Sequence, residues 1–135
     1  MSMTGGCLCG AVKYSVAAEP IMCVTCHCKN CQRQAGTALS IIVGVPETAV
    51  SFTGELKTFN DTGDSGATVR RQFCPECGSP VFTRVDEPEG VLFIKAGTLD
   101  DTSKLQPAFH CYTKSKQEWI GLGDIPGFDT VPQGL

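Results

Sequence analysis

Seven of the nine cysteines lie in three short clusters, and their spacing constrains this chain more than any other feature of its sequence. The clusters are Cys7-Leu8-Cys9, a triplet at Cys26, Cys28 and Cys31, and Cys74-Pro75-Glu76-Cys77. Four thiolates complete the coordination of a zinc ion, whereas three leave one position open. Two pairs and one triplet therefore predict a closed structural zinc site and a second zinc site with an open position.

Composition and charge narrow the class of protein. The 135 residues, 41% of them hydrophobic, predict one domain over residues 1–135 that is large enough for a hydrophobic core. A net charge of −3 argues against a nucleic-acid partner, because phosphate binding needs a concentrated positive field. No signal peptide is visible, and the longest apolar stretch, residues 39–46, is too short to cross a bilayer. We therefore expect a cytoplasmic protein without a membrane partner, where clustered cysteines bind metal more often than they form disulfides.

Alternating and β-branched segments predict a mainly β fold with one short helix. Strands are predicted at residues 11–16, 39–45, 49–53, 56–59, 69–73, 80–85, 91–97 and 109–113. Gly54-Glu55 and residues 87–90 have the composition of turns that join paired strands. The helix is predicted over Lys29–Ala35 and ended by Gly36, and a further helical turn is predicted at residues 100–104.

The first and third clusters predict the closed site. If Cys7 and Cys9 lie on a strand, both side chains point to the same face and can reach one zinc ion. Cys74 and Cys77 are three residues apart, around a turn that the intervening proline and the following glycine favour. One ion bound by all four thiolates would close a long loop and contribute directly to the free energy of folding.

The triplet predicts the open site. With a helix beginning at Lys29, Cys28 would lie at its start and Cys31 on its first turn, where backbone N–H groups stabilise thiolates. Cys23 is an alternative fourth ligand that, with Cys26, would close the site. The thiols could also be metal-free redox groups.

Other residues near the clusters have less specific readings. His27 would point away from its cysteine neighbours in an extended segment, so it is a hydrogen-bonding or pocket residue rather than a ligand. Cys111 has no nearby partner and is expected to be a buried apolar residue. Four basic residues close to the clusters could bind carboxylates of an anionic substrate or be solvated surface charges: Lys29, Arg33, Arg70 and Arg71.

Five segments occur in an order that resembles one protein family: GGCLCGAVKY, CHCKNCQRQAG, FCPECGSPVF, AGTLDD, and SKQEWI with GDIPGF. The chain resembles the glutathione-dependent formaldehyde-activating enzyme family, which shares a domain with centromere protein V, over about residues 5–128. The resemblance implies a zinc-clipped β-tent fold. It also implies the ligands of two zinc ions, a structural one at Cys7, Cys9, Cys74 and Cys77 and a catalytic one at Cys26, Cys28 and Cys31.

The activity implied by the resemblance is carbon–sulfur lyase chemistry, the reversible joining of glutathione and formaldehyde as S-hydroxymethylglutathione. The thiol would take the open position and attack the formaldehyde carbon, with His27 as a candidate proton donor by position alone. The substrate could be another thiol or carbonyl compound. The alternatives are a zinc-stabilised binding module for a protein or thiol, which a closed second site and an exposed apolar patch would favour, and a redox or metal-buffering protein.

Overall fold

The computed structural model describes residues 3–132, which form a mainly β structure with one short α-helix, as predicted. The helix α1 spans Lys29–Ala35, and no helix within the described range is long and apolar enough to cross a membrane. The strands are β1 Met3–Gly6, β2 Lys13–Val16, β3 Met22–Cys26, β4 Ser40–Pro46, β5 Val50–Thr53, β6 Lys57–Thr62, β7 Thr68–Phe73, β8 Pro80–Val85, β9 Val91–Lys95 and β10 Phe109–Cys111. Single 3₁₀ turns cover Glu47–Ala49, Ala96–Thr98 and Thr113–Ser115.

The strands are arranged in two sheets. The small sheet has the order β1-β2-β5, and the large sheet has the order β10-β3-β4-β9-β8-β7-β6. Neighbouring strands are antiparallel except β10 and β3, which are parallel. This order places β3, which ends at Cys26, two strands away from β9, which ends at Lys95.

One face of the large sheet packs against the small sheet and forms the hydrophobic core. Successive side chains of a strand point to opposite faces, so Val43 of β4, Phe82 of β8 and Ile94 of β9 share one face. Each of these three is at most 1% exposed. They pack with Tyr14 and Val16 of the small sheet in a single cluster of buried residues. The opposite face of the large sheet is therefore free to carry polar side chains.

The predicted pairing of the strands on either side of Gly54-Glu55 is wrong. β5 pairs with β2 in the small sheet, whereas β6 pairs with β7 in the large sheet. Gly54 makes this change of sheet possible, because it has a φ of 97° and a Cβ there would lie 2.1 Å from the carbonyl oxygen of Ala11. The strands on either side of residues 87–90 do pair as predicted, β8 with β9.

The helical turn predicted at residues 100–104 is also wrong. The Oδ1 atom of Asp101 accepts hydrogen bonds from the backbone N–H of Ser103 at 2.9 Å and from its hydroxyl at 2.6 Å. Such local side-chain bonds compete with helical hydrogen bonds. Asp100 is held to β1 instead, because its N–H donates to the Thr4 carbonyl at 2.9 Å and its carboxylate accepts from the Thr4 hydroxyl at 2.7 Å.

Replacement of Gly54 tests whether the chain can pass from the small sheet to the large sheet only because this position has no side chain. Gly66 is a matched control, because it has a φ of 86° but nothing within 4 Å of an added Cβ. We expect Gly66→Ala to lower the free energy of unfolding by about 1–2 kcal/mol through backbone strain alone. Gly54→Ala should cost about 3 kcal/mol or more, because steric overlap adds to the strain. Urea unfolding with reductant and zinc present measures both, and equal losses would contradict the steric account.

Candidate metal sites and the adjoining cleft

Cys7 and Cys9 lie in the turn between β1 and β2, so the prediction that they lie on a strand is wrong. The N–H of Cys7 donates to the Val12 carbonyl at 3.0 Å, and the N–H of Gly10 donates to the Cys7 carbonyl at 3.2 Å. Gly10 has a φ of 82°, which returns the chain to β2 directly after the second cysteine. The turn brings the sulfurs of Cys7 and Cys9 to 3.7 Å from each other.

Cys74 and Cys77 lie in the turn between β7 and β8. The N–H of Gly78 donates to the Cys74 carbonyl at 2.8 Å, and Gly78 has a φ of 78°. Cys74 is fully buried in the hydrophobic core, and its sulfur lies 3.7 Å from that of Cys9. The four cysteines of the two turns, Cys7, Cys9, Cys74 and Cys77, have their sulfurs within 4.8 Å of one another.

The four sulfurs fit a tetrahedral zinc ion. With Zn–S bonds of about 2.3 Å, the sulfurs of a regular tetrahedron lie about 3.8 Å apart. The observed separations of 3.7 Å for Cys7–Cys9 and for Cys9–Cys74 are close to that value. Hydrogen bonds from Ser79 lower the pKa of Cys77 to about 5, so this ligand ionises readily. Four anionic sulfurs at this spacing repel one another, and a bound divalent cation would compensate the repulsion.

The triplet forms where β3 meets α1. Cys26 ends β3, Cys28 caps the N-terminus of α1, and Cys31 lies in its first turn, which confirms the predicted positions. The sulfur of Cys28 accepts a hydrogen bond from the N–H of Cys31 at 3.2 Å. The three sulfurs lie within 4.8 Å of one another. The helix ends at Gly36, whose φ of 70° is left-handed, also as predicted.

The electrostatics of the triplet also fit a cation. Hydrogen bonds from the thiols of Cys26 and Cys31 lower the pKa of Cys28 to about 2. The same contact with Cys28 raises the pKa of Cys26 above its usual range. Ionisation of one sulfur therefore opposes ionisation of its neighbours. A divalent metal ion would allow all three to ionise together.

Cys23 does not complete the triplet. It lies three residues before Cys26 on β3, so its side chain faces the other side of the sheet, beside Val43 in the core. Among the described residues the second cluster has three thiols, which leaves one coordination position open for a tetrahedral ion. All nine cysteines are free thiols, and Cys111 is 5% exposed, as expected of a buried apolar residue.

His27 is fully buried beside the triplet. Its Nε2 atom lies 3.2 Å from Nδ1 of His110, which also contacts the Thr25 hydroxyl. Burial and the neighbouring His110 lower the pKa of His27, so its ring is neutral near pH 7. The His27 carbonyl accepts from the Gln32 side chain at 2.7 Å. Its role as a proton donor remains a prediction, and it is not among the residues that line the adjoining cleft.

A cleft of about 560 Å³ adjoins the triplet on the face of the large sheet opposite the core. Its floor is built from one row of residues that share this face across neighbouring strands. These floor residues are Cys26, Ser40, Ile42, Phe93, Lys95, Thr83 and Arg71. The segments 63–69 and 112–115 contribute to its walls. The volume lies within the range of about 300–1,000 Å³ that is common for small-molecule sites.

Two of the floor residues are buried cations, each 6% exposed. Arg71 donates from Nε to the Asp61 carboxylate at 2.9 Å. Lys95 donates from Nζ to the Ser40 hydroxyl at 2.7 Å, and it is in none of the three ion pairs formed within residues 3–132. Exposed lysines, Lys29 and Lys114, also line the cleft.

The basic residues near the clusters therefore divide into two groups. Lys29 and Arg71 line the cleft, together with the carboxylates of Asp64, Asp86 and Glu87. Arg33 lies instead in a shallow depression beside Trp119. Arg70 lies outside the cleft and pairs with Asp86 at 3.0 Å, with both side chains partly exposed.

Tyr112 adds a strained backbone to the cleft wall. Its φ of 57° is the one positive value at a residue other than glycine within the described range. Such a conformation is costly for a bulky side chain and is often found at functional sites. Burial, together with Asp64, raises the pKa of Tyr112 to about 12, so its hydroxyl stays protonated near pH 7. No sequence pattern pointed to Tyr112, Ser40 or Lys95, because each is a single polar residue in or beside an apolar strand.

The sequence model of the glutathione-dependent formaldehyde-activating enzyme family matches residues 2–115, a range that contains both thiol clusters and the cleft floor. The chain belongs to this family. Curated relatives named provisionally for the family include a Penicillium rubens protein, 29% identical over 93 residues, which cover 67% of this chain and 48% of the relative. An Aspergillus oryzae protein is 29% identical over 114 residues, which cover 81% of this chain and 59% of the relative.

This family member spans about half the length of the curated relatives it matches. A crystal structure of a Rhodobacter sphaeroides protein has the same fold, with a TM-score of 0.59 and 18% sequence identity. The match covers 93% of this chain and 100% of that one. The common architecture therefore extends over nearly the whole of both chains.

Removal of one ligand tests the structural role of the four-cysteine site. We expect Cys74→Ser to be largely insoluble or molten, because the variant opens the site and leaves a hydroxyl in the core. Cys23→Ser is the control, since Cys23 is a partly buried thiol outside both clusters and its variant should remain native. Circular dichroism and thermal melting compare the two. A soluble Cys74→Ser protein with the native spectrum and melting temperature would refute the structural role.

Proposed function

We propose that this protein is a zinc-dependent carbon–sulfur lyase that reversibly joins a small thiol to formaldehyde or a related carbonyl compound. The observation that carries the proposal is the position of the triplet, which combines three thiols and an open coordination position with a cleft of about 560 Å³. Glutathione and formaldehyde are the leading substrates, because the family is named for them.

Two zinc ions would have different tasks. The cluster of Cys7, Cys9, Cys74 and Cys77 would hold a structural ion that joins the two sheets. The triplet of Cys26, Cys28 and Cys31 would hold the second ion, which when bound offers a position to a soft ligand and lowers the pKa of an incoming thiol.

The residues of the cleft would bind and orient the substrate. Lys29 and Lys114 are exposed cations beside the triplet, suited to the carboxylates of a thiol such as glutathione. Ile42 and Phe93 present apolar surface on the floor, which limits the water around the reacting atoms. The Tyr112 hydroxyl, which stays protonated near pH 7, lies beside Asp64 in the wall of the cleft.

Zinc content and turnover together test this proposal. We expect about two zinc ions per freshly purified, reduced chain and about one in Cys31→Ser, because the variant loses a ligand of the second site. Elemental mass spectrometry gives the ratio. Exchange NMR measures the rate at which formaldehyde and S-hydroxymethylglutathione interconvert. The rate with protein minus the spontaneous rate is the catalysed rate. The control Cys23→Ser should keep two zinc ions per chain and full activity. A Cys31→Ser variant with two zinc ions per chain and full activity would exclude the mechanism.

A binding experiment separates an enzyme from a thiol carrier. Calorimetric titration with glutathione should show binding to the wild-type protein and a large loss of affinity in Cys31→Ser, because the thiol would lose its site. If the wild type binds glutathione but does not accelerate the exchange, the protein is a thiol carrier and the lyase proposal fails.

A further inference from the structure

Lys95 is a buried cation without a carboxylate partner among the described residues. Lys95 is 6% exposed, and among the described residues its ammonium group donates to the hydroxyl of Ser40, a residue that is 2% exposed. The other buried cation of the cleft, Arg71, differs because Asp61 balances its charge. A buried charge is costly unless an opposite charge compensates it. The anionic sulfurs of the triplet supply part of the compensating charge, and an anion bound in the cleft would supply more.

The sheet register places this cation next to the triplet. Cys26 on β3 lies directly opposite Ser40 on β4, and residues paired in this way have Cβ atoms about 4.5–5.5 Å apart. Lys95 on β9 pairs with Ile42, two residues along β4 on the same face, and its ammonium group reaches back to the Ser40 hydroxyl at 2.7 Å. The ammonium group and the Cys26 side chain therefore lie on the same face of the sheet, on either side of Ser40, on the floor of the cleft.

We propose that the Lys95 ammonium group, oriented by Ser40, forms an oxyanion site that binds the carbonyl-derived oxygen of the thiol adduct. The inference rests on the proposed function and adds a catalytic residue to it. Lys95 would touch the oxygen directly, whereas Ser40 would act through Lys95 as a positioning residue.

The reaction step gives this cation a defined task. A lone pair of the ionised thiol forms the new sulfur–carbon bond, and the π electrons of the carbonyl group move onto its oxygen. The product is an S–CH₂–O⁻ group, which Lys95 stabilises until the oxygen takes one proton from water in the cleft. The proton that the thiol released to solvent on ionising replaces the one that water gives to the oxygen, so protons balance and no oxidant or reductant is required. In the reverse direction Lys95 stabilises the same alkoxide before the sulfur–carbon bond breaks.

Position favours the adduct oxygen over a carboxylate of the thiol as the partner of Lys95. In the adduct the oxygen is two bonds from the sulfur, so it stays beside the triplet. The carboxylates of glutathione are many bonds farther from its sulfur, and the exposed cations Lys29 and Lys114 are better placed for them. Lys95 is deep on the floor, where a small oxyanion fits and the transition state gains most from a preorganised charge.

Kinetics of Lys95 variants test the site. Methionine has a similar length and no charge, and replacing a buried ion by an apolar side chain often preserves stability, so Lys95→Met should fold. We expect its kcat for adduct formation to fall about 10²-fold to 10³-fold, with little change in KM for the thiol. Lys95→Arg keeps the charge and should recover part of kcat. Lys13→Met, an exposed lysine of the small sheet outside the cleft, should behave as the wild type.

Binding of two small thiols tests the anion site independently of turnover. Mercaptoacetate carries an oxygen anion near its sulfur, and 2-mercaptoethanol carries a neutral hydroxyl at a similar position. Lys95→Met should bind mercaptoacetate about tenfold to hundredfold more weakly than the wild type, because a charge-assisted hydrogen bond is lost. Its affinity for 2-mercaptoethanol should not change. Chelation of the metal by mercaptoacetate would affect both proteins equally. The difference in affinity between the wild type and Lys95→Met therefore measures the contribution of the lysine.

The outcomes separate the inference from the proposed function. Wild-type turnover with an equally active, fully zinc-loaded Lys95→Met variant would overturn the oxyanion site and leave the lyase proposal standing. Loss of the second zinc ion from Lys95→Met would also overturn it, because the lysine would then stabilise the zinc-binding thiolates rather than the substrate. If the wild type lacks turnover, the lyase proposal fails. In that event the mercaptoacetate comparison alone decides whether Lys95 forms an anion site.

Discussion

The contact between the four thiols of Cys7, Cys9, Cys74 and Cys77 is the constraint on which the rest of the structure depends. Two of them come from the β1–β2 turn of the small sheet and two from the β7–β8 turn of the large sheet. Cys9 and Cys74 are 65 residues apart in sequence, yet their sulfurs lie 3.7 Å apart. A metal ion at this point would fix the small sheet over one face of the large sheet. The opposite face is then left free for the cleft.

The alternation of side chains along the large sheet determines where chemistry can occur. Residues such as Val43 and Ile94 face the small sheet and make the core, and their neighbours Ile42 and Lys95 face the cleft. A polar side chain can therefore lie one residue from the core without disturbing it. The triplet, at the end of β3, continues this polar row. The same strands thus supply both the stability of the protein and the floor of its candidate site.

Local sequence patterns predicted the parts of this arrangement that depend on local interactions. The end of α1 followed from Gly36, and the positions of Cys28 and Cys31 on the helix followed from their spacing. Strand pairing depends on distant contacts, so the chain's change of sheet at Gly54 was not predicted. Strands β1 and β3 were also missed, because one is rich in glycine and the other overlaps a cysteine cluster.

The chemistry of the triplet explains why its neighbours matter as much as its ligands. Three thiolates more than neutralise the charge of a divalent ion, so such a centre suits the binding of another soft ligand better than the stabilisation of an oxygen anion. When a thiolate adds to a carbonyl group, the negative charge moves from sulfur to oxygen. A positive charge separate from the metal ion is therefore needed beside the oxygen to stabilise this negative charge. Lys95 is the buried cation on the cleft floor that forms no ion pair with a carboxylate of the described residues, and its neighbour Ser40 lies directly opposite Cys26. The thiol clusters would therefore supply the site for sulfur, and the strand face beside them would supply the site for oxygen.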